Sequence, residues 1–288
     1  MQKAKRRNVM KICIRAHDLS GKGTQNILSE LSALGIDGVQ MVCYKAYEDI
    51  SYAPGGITQQ QAEAIGQAFS DAGKIIPLVG AYFNPVHPDR QKAERCEAIF
   101  AEYLRLCRSM GCQYVGSETG SCYGEPWIYH PESRTEAALE QVVQTFSRLC
   151  DVAAEHGSMV AVEGAVDHVC WNVQRLAEAR RRIGKPTKVI FDLFNYMDGE
   201  NQHDYLSILE EGLNTFAGEI LLFHMKDCCF AESGKPKQVP FGTGDLDLEA
   251  ILGRIKKYDE NAVLTLEGTT GTDIQFAVNT IKTIWERV

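Results

Sequence analysis

Eight short apolar runs, each followed by a longer segment of different periodicity, organise this chain from residue 9 onward. They read VMKICIRA (9–16), DGVQMVCY (37–44), KIIPLVGAY (74–82), CQYVGSE (112–118), MVAVEG (159–164), KVIFDLF (188–194), EILLFHM (219–225) and AVLTLEG (262–268). Runs that are apolar at nearly every position suit strands covered on both faces, which means a parallel sheet with helices outside it. The intervening segments, such as TQNILSELSALG, ITQQQAEAIGQAFSDAG and EAALEQVVQTFSRLCDVAAEHG, carry apolar residues at helical spacing. Several end on a glycine (Gly35, Gly73, Gly111, Gly157, Gly184), the residue that tolerates the left-handed turn closing a helix.

Eight such units without an internal linker predict a single (β/α)8 TIM barrel over residues 9–288, and 288 residues suffice, since such barrels run ~250. An open doubly wound sheet is the rival architecture, but no G-x-G-x-x-G follows the first run, and GKG at 21–23 is too short to serve. Residues 1–8, MQKAKRRN, are basic and aperiodic, and are expected to form a flexible leader.

The last four runs each end in a side chain able to hold a metal: Glu163, Asp192, His224 and Glu267, spaced 29, 32 and 43 positions apart. Those gaps match one strand-plus-helix unit each, so the barrel would bring all four to one mouth. A lone Glu can cap a helix and a lone His can be a hydrogen-bonded core residue. Four at equivalent positions point instead to one divalent ion. Three carboxylates and an imidazole suit Mn²⁺ first, with Mg²⁺, Co²⁺ or Zn²⁺ as further candidates, better than they suit a structural zinc site of Cys and His.

Composition narrows the partners. A net charge of −8 argues against a nucleic-acid surface. No apolar stretch is long enough to span a bilayer, and nothing resembles a signal peptide. Of ten cysteines, several (Cys13, Cys43, Cys107, Cys150) lie inside apolar helical or strand patterns, and the adjacent Cys228–Cys229 pair reads as ordinary loop thiols, so a reducing cytoplasm is expected.

VAVEG, VIFD, LLFHMKD and LTLEG, together with GIDGVQM and FGTGDLDLEAIL, resemble the xylose isomerase-like TIM-barrel superfamily. Within it the resemblance is to the sugar (phosphate) isomerase/epimerase group that includes ketose 3-epimerases. It implies one M²⁺ held by Glu163, Asp192, His224 and Glu267, with Glu163 and Glu267 removing and returning a proton beside a substrate carbonyl. Some positions depart from the ketose 3-epimerase pattern: Asn195 stands where a His is usual, Phe230 where an Arg is, and Val169, beside His168, where a second Glu is. The four-His pattern of the DNA-repair branch is absent.

Other polar residues at run ends would rim the same mouth. His17, Glu118, His168, Asn195 and Lys226 are the candidate substrate-binding residues, with Tyr44, Lys45, Tyr82, Asn84, Tyr123 and Trp127 nearby. Asn172 can equally start a helix, Asp245 or Asp247 reads as a helix N-cap, and Asp227 as a structural partner. The glycines of FGTGD and EGTTG suggest loops of the kind that bind phosphate. The long connections 119–133 and 228–245 are candidate substrate walls. The expected protein is a metal-dependent isomerase or epimerase of a small polyhydroxylated keto compound, assembling as a homodimer or tetramer. A lyase or dehydratase of an inositol-type or 3-keto-glycoside substrate, and a non-catalytic metal-binding barrel, are the alternatives.

Overall fold

The computed structural model describes residues 10–288, so the leader expected at 1–8 lies outside the described residues. In chain order the strands are β1 (Lys11–Arg15), β2 (Gly38–Met41), β3 (Ile75–Gly80), β4 (Tyr114–Glu118), β5 (Met159–Glu163), β6 (Thr187–Asp192), β7 (Ile220–Met225), β8 (Asp227–Cys229), β9 (Lys237–Val239) and β10 (Val263–Leu266). The helices are α1 (Thr24–Leu34), α2 (Cys43–Ala46), α3 (Gln59–Asp71), α4 (Arg90–Leu106), α5 (Glu136–Glu155), α6 (Val173–Ile183), α7 (Tyr205–Thr215), α8 (Leu248–Tyr258) and α9 (Asp273–Arg287). Eight parallel strands close into a barrel in the order β1-β10-β7-β6-β5-β4-β3-β2. The (β/α)8 barrel read from the alternation is therefore the fold.

Local chemistry accounts for the element ends. Thr58 and Gln61 form a capping box at α3, and Asp89, Thr135, Asn172 and Asp247 accept backbone N–H bonds at the starts of α4, α5, α6 and α8. Asn172 thus serves as a cap, and of Asp245 and Asp247 it is Asp247 that starts α8. Two differences from the sequence reading are physical. The second run stops as a strand at Met41, and Cys43–Ala46 winds into one helical turn. The 228–245 connection is not all loop, because β8 and β9 pair as an antiparallel ribbon.

The barrel interior is filled by Leu78, Ala161, Ile190 and Leu222, a layer separate from the larger core between sheet and helices. Gly116 on β4 makes that layer fit, because a Cβ there would come within 2.6 Å of Ile190 Cδ1. The filling closes the barrel centre and leaves space for chemistry at the carboxyl ends of the strands. Among the described residues all ten cysteines are free, and no helix is long and apolar enough to cross a membrane.

Candidate metal centre and active site

Register delivers the four predicted donors to one mouth. Glu163 ends β5, Asp192 ends β6 and pairs across with His224 on β7, and Glu267 follows β10. One donor atom each from Glu163, Asp192 and His224 lies within 4.8 Å of the others, all three residues being buried. His224 Nδ1 is the point of convergence, at 3.2 Å from Glu163 Oε1, 3.5 Å from Asp192 Oδ2 and 2.9 Å from Glu267 Oε2.

The other side of the ring fixes it. Gln40 Oε1 meets His224 Nε2 at 2.7 Å while the Gln40 amide donates to the Tyr82 hydroxyl at 2.8 Å. Tyr82 in turn donates to Glu163 Oε2 at 3.3 Å. A ligating histidine whose second nitrogen is anchored this way keeps its ring orientation. Asn195 donates to Glu163 Oε1 at 2.7 Å and accepts from Lys226 Nζ at 3.1 Å. Lys226 also lies 2.9 Å from Glu267 Oε1. It also comes within 2.7 Å of Asp192 Oδ2, the oxygen that His224 Nδ1 faces at 3.5 Å.

That donor set fits a divalent cation. Three carboxylates that converge on one imidazole are oxygen and nitrogen donors of the kind a divalent ion takes, and a cation among them would offset the cost of burying their charge. The buried Glu163–Asp192–His224 triad can hold a metal ion, with Glu267 adjoining it through His224.

Electrostatics separate the two glutamates. Burial raises the Glu163 carboxyl above its ordinary range; His224 opposes this, and Glu267 and Asp192 reinforce it. Burial works against ionising Glu267 as well, but Lys226, His224 and Arg15 outweigh it and hold that carboxyl well below the usual range. Arg15 grips Asp18 through two bonds of 2.8 and 2.9 Å and reaches Glu267 Oε1 at 3.0 Å.

A cavity of about 450 Å³ opens over the donors, with Glu163, Glu267, Glu118, Arg15 and His17 on its walls. Glu118 stands beside Glu163 in register. Burial and the charges of Glu163 and Glu267 push its carboxyl well up. His17 lines the cavity from a turn after β1, its titration lowered to about 4 by burial and Arg15. His168 lies one layer back, edge-on to Trp127 at 5.6 Å, with Nδ1 4.0 Å from Glu118 Oε1.

A profile of the xylose isomerase-like TIM-barrel family matches residues 28–283. The chain belongs to that family. Solved structures sharing the fold include a xylose isomerase domain protein from Planctomyces limnophilus, 20% identical with a TM-score of 0.73, covering 97% of each chain. The IolI protein with a bound zinc atom is 16% identical with a TM-score of 0.70, covering 96% of each chain. An L-ribulose 3-epimerase is 14% identical with a TM-score of 0.72, covering 97% of this chain and 95% of its own. No protein of curated function matches the sequence.

Several site residues of this family member escaped the sequence reading. Gln40 and Arg15 were passed over, although a polar residue inside GVQM and a cation inside KICIR are both out of place in a strand covered on two faces. The glycine loops also behave differently from the expectation of phosphate binding. The N–H groups of Gly242 and Gly244 donate to Asp227 Oδ2 at 3.0 and 2.8 Å, and that of Gly268 to Asp18 Oδ2 at 2.8 Å. Those donors are already satisfied within the protein.

Proposed function

We propose that this protein is a divalent-metal-dependent isomerase or epimerase of a small sugar or sugar derivative, in which Glu163 and Glu267 remove and return the proton beside a carbonyl. One observation carries this reading: three carboxylates and the His224 ring converge under a single cavity whose walls include both glutamates. Glu163 and Glu267 come from β5 and the end of β10, which two further strands separate around the barrel. They therefore approach a bound molecule from different sides, as removal and return of a proton at one carbon requires.

Glu163, Asp192, His224 and Glu267 are the proposed ligands of one ion, Mn²⁺ first among Mg²⁺, Co²⁺ and Zn²⁺. When bound, the ion supplies Lewis-acid stabilisation of negative charge developing on substrate oxygens. The protein does the positioning. Asn195 and Lys226 hold the oxygens of Glu163 and Glu267 in place, and Gln40 orients His224. His17 and Glu118 face the substrate, with His168 packed edge-on against Trp127. A carboxylate fixed in this way contributes about 10²–10⁴-fold through direct proton transfer.

The test is uptake of deuterium from heavy water, followed by NMR, over ketoses, ketose phosphates and keto-glycosides with Mn²⁺ added. Exchange at the carbon beside the carbonyl is expected with at least one member. Glu163→Gln and Glu267→Gln should each lower it by about 10²–10⁴-fold. Near-normal exchange in either variant ends that residue's role. A lyase reading is favoured by one feature, the third carboxyl: Glu118 beside Glu163 is placed to serve a departing hydroxyl. Appearance of an enone absorbance in place of exchange would select it.

A further inference from the structure

Four side chains close a ring of polar contacts that begins and ends on the Glu163 carboxylate. Glu163 Oε1 faces His224 Nδ1 at 3.2 Å, and on the far side of the imidazole Nε2 lies 2.7 Å from Gln40 Oε1. The Gln40 amide nitrogen donates to the Tyr82 hydroxyl at 2.8 Å, and that hydroxyl donates to Glu163 Oε2 at 3.3 Å. The ring links β2, β5 and β7 with a residue two places beyond β3. The fold holds that residue in place. The Tyr82 backbone carbonyl accepts from the Tyr52 hydroxyl at 3.1 Å. Gly80 gives the phenol ring room, because a Cβ there would lie 2.8 Å from Tyr82 Cε2.

The direction of these bonds is set at Tyr82. A phenol keeps its proton at neutral pH and has one to give. An ionised carboxylate accepts and never donates, so that proton goes to Glu163. The phenol oxygen is then left as an acceptor, which only the NH2 end of the Gln40 amide can meet. The oxygen end of the amide, which cannot donate, is thereby turned to His224 Nε2, and Nε2 must carry a proton. In a neutral imidazole the lone pair then sits on Nδ1, the atom that faces the Glu163, Asp192 and Glu267 oxygens. An amide turned the other way would set donor against donor at Nε2 and acceptor against acceptor at Tyr82, and Gln40 is fully buried.

We propose that Tyr82 is a positioning residue that acts on His224 through Gln40: its hydroxyl proton, held by Glu163, fixes the amide, and the amide keeps the ring proton on Nε2 and Nδ1 toward the candidate metal centre. The proposal rests on the metal-centre reading for the use made of Nδ1, and on the four contacts alone for the direction of the bonds. It makes one hydroxyl responsible both for an oxygen of the candidate base and for the atom that the histidine offers an ion.

The test combines metal affinity with a proton signal that needs no metal. Tyr82→Phe removes the hydroxyl and keeps the ring beside Gly80, and Gln40→Met removes both ends of the amide at similar length. In calorimetric titration of Mn²⁺ into chelator-treated protein, Tyr82→Phe should weaken binding about tenfold and Gln40→Met about 10–100-fold. The double variant should bind within about threefold of Gln40→Met, because without the amide Tyr82 has no route to the imidazole. Losses that multiply in the double variant would give Tyr82 a separate role and overturn the proposal, as would unchanged affinity in Tyr82→Phe. In metal-free protein, NMR follows exchange of the His224 Nε2 proton, assigned by its loss in His224→Asn, against the backbone amides of β7 in the same sample. Tyr82→Phe should speed it about tenfold relative to those amides. An unchanged ratio overturns the proposal whether or not metal binds. If the unaltered protein takes up no metal while the ratio rises as expected, the metal centre falls and Tyr82 stands as the residue that orients the ring.

Discussion

At the scale of single residues, buried carboxylates divide between chemistry and architecture, and their partners tell which is which. Asp192 Oδ2 faces the side chains of Lys226 and His224, whereas Asp227, equally buried, accepts from the backbone N–H groups of Cys228, Gly242 and Gly244. Three charge-assisted bonds tie the β7 loop back onto its strand. Asp227→Ala leaves those donors unsatisfied, and a loss of about 2–4 kcal/mol in urea denaturation is expected. A change within about 0.5 kcal/mol would show that water replaces the carboxylate. His168 offers a pH-dependent counterpart. Burial, with Lys235 adding to it, lowers its titration from 6.5 to about 3. The unfolded chain takes up a proton below its ordinary value while the folded chain stays neutral. The stability tied to this group is therefore complete above pH 6.5 and is lost as the pH falls towards 3, by up to about 1.4 kcal/mol per pH unit. His168→Gln should flatten the acid side of the stability profile between those limits. An unchanged slope would assign it to other groups.

At the scale of elements, the barrel interior dictates which strands can carry bulk. Leu78 and Ile190 fill the space that Gly116 leaves open on β4. Gly116→Val would force these side chains from their rotamers, and a destabilisation of about 1–3 kcal/mol is expected in a thermal or denaturant melt. A neutral result would mean that the layer is looser than its contacts indicate. The β8–β9 ribbon has a comparable positional task, since Gln238 on β9 donates to the Glu267 carbonyl at 2.8 Å and holds the backbone of a candidate ligand. Part of this was legible in the chain. Asn172 and Asp247 stand where helices begin, and the glycines at 35, 73, 111, 157 and 184 all adopt the positive φ expected of helix ends. The ribbon was not legible, because its two strands are three residues each and their pairing depends on a fold-back that no periodicity marks.

At the scale of the whole molecule, the strands bring together residues more than a hundred positions apart. Any ion they share should couple binding to folding. With Mn²⁺ at 100 times its dissociation constant, the unfolding free energy should rise by about 2.7 kcal/mol, a shift of several degrees in Tm. Melting curves that coincide for chelator-treated and Mn²⁺-loaded protein would remove the metal centre, and the proposed function with it.

What the chain alone determined is the set of properties carried by local pattern. Alternating periodicity specifies strand–helix units, their number specifies a barrel, and ligand-type residues at strand ends mark which mouth carries the candidate site. Those signals are short-range, so one sequence suffices to read them. Tertiary structure alone decided which groups meet: that His224 Nε2 faces Gln40 184 positions away, that Arg15 steadies Glu267 across 252 positions, and that Asp18 and Asp227 consume the glycine-loop amides. Pairings of that kind follow from barrel closure, strand register and side-chain reach, and these are properties of the packed molecule, with no counterpart in spacing along the chain.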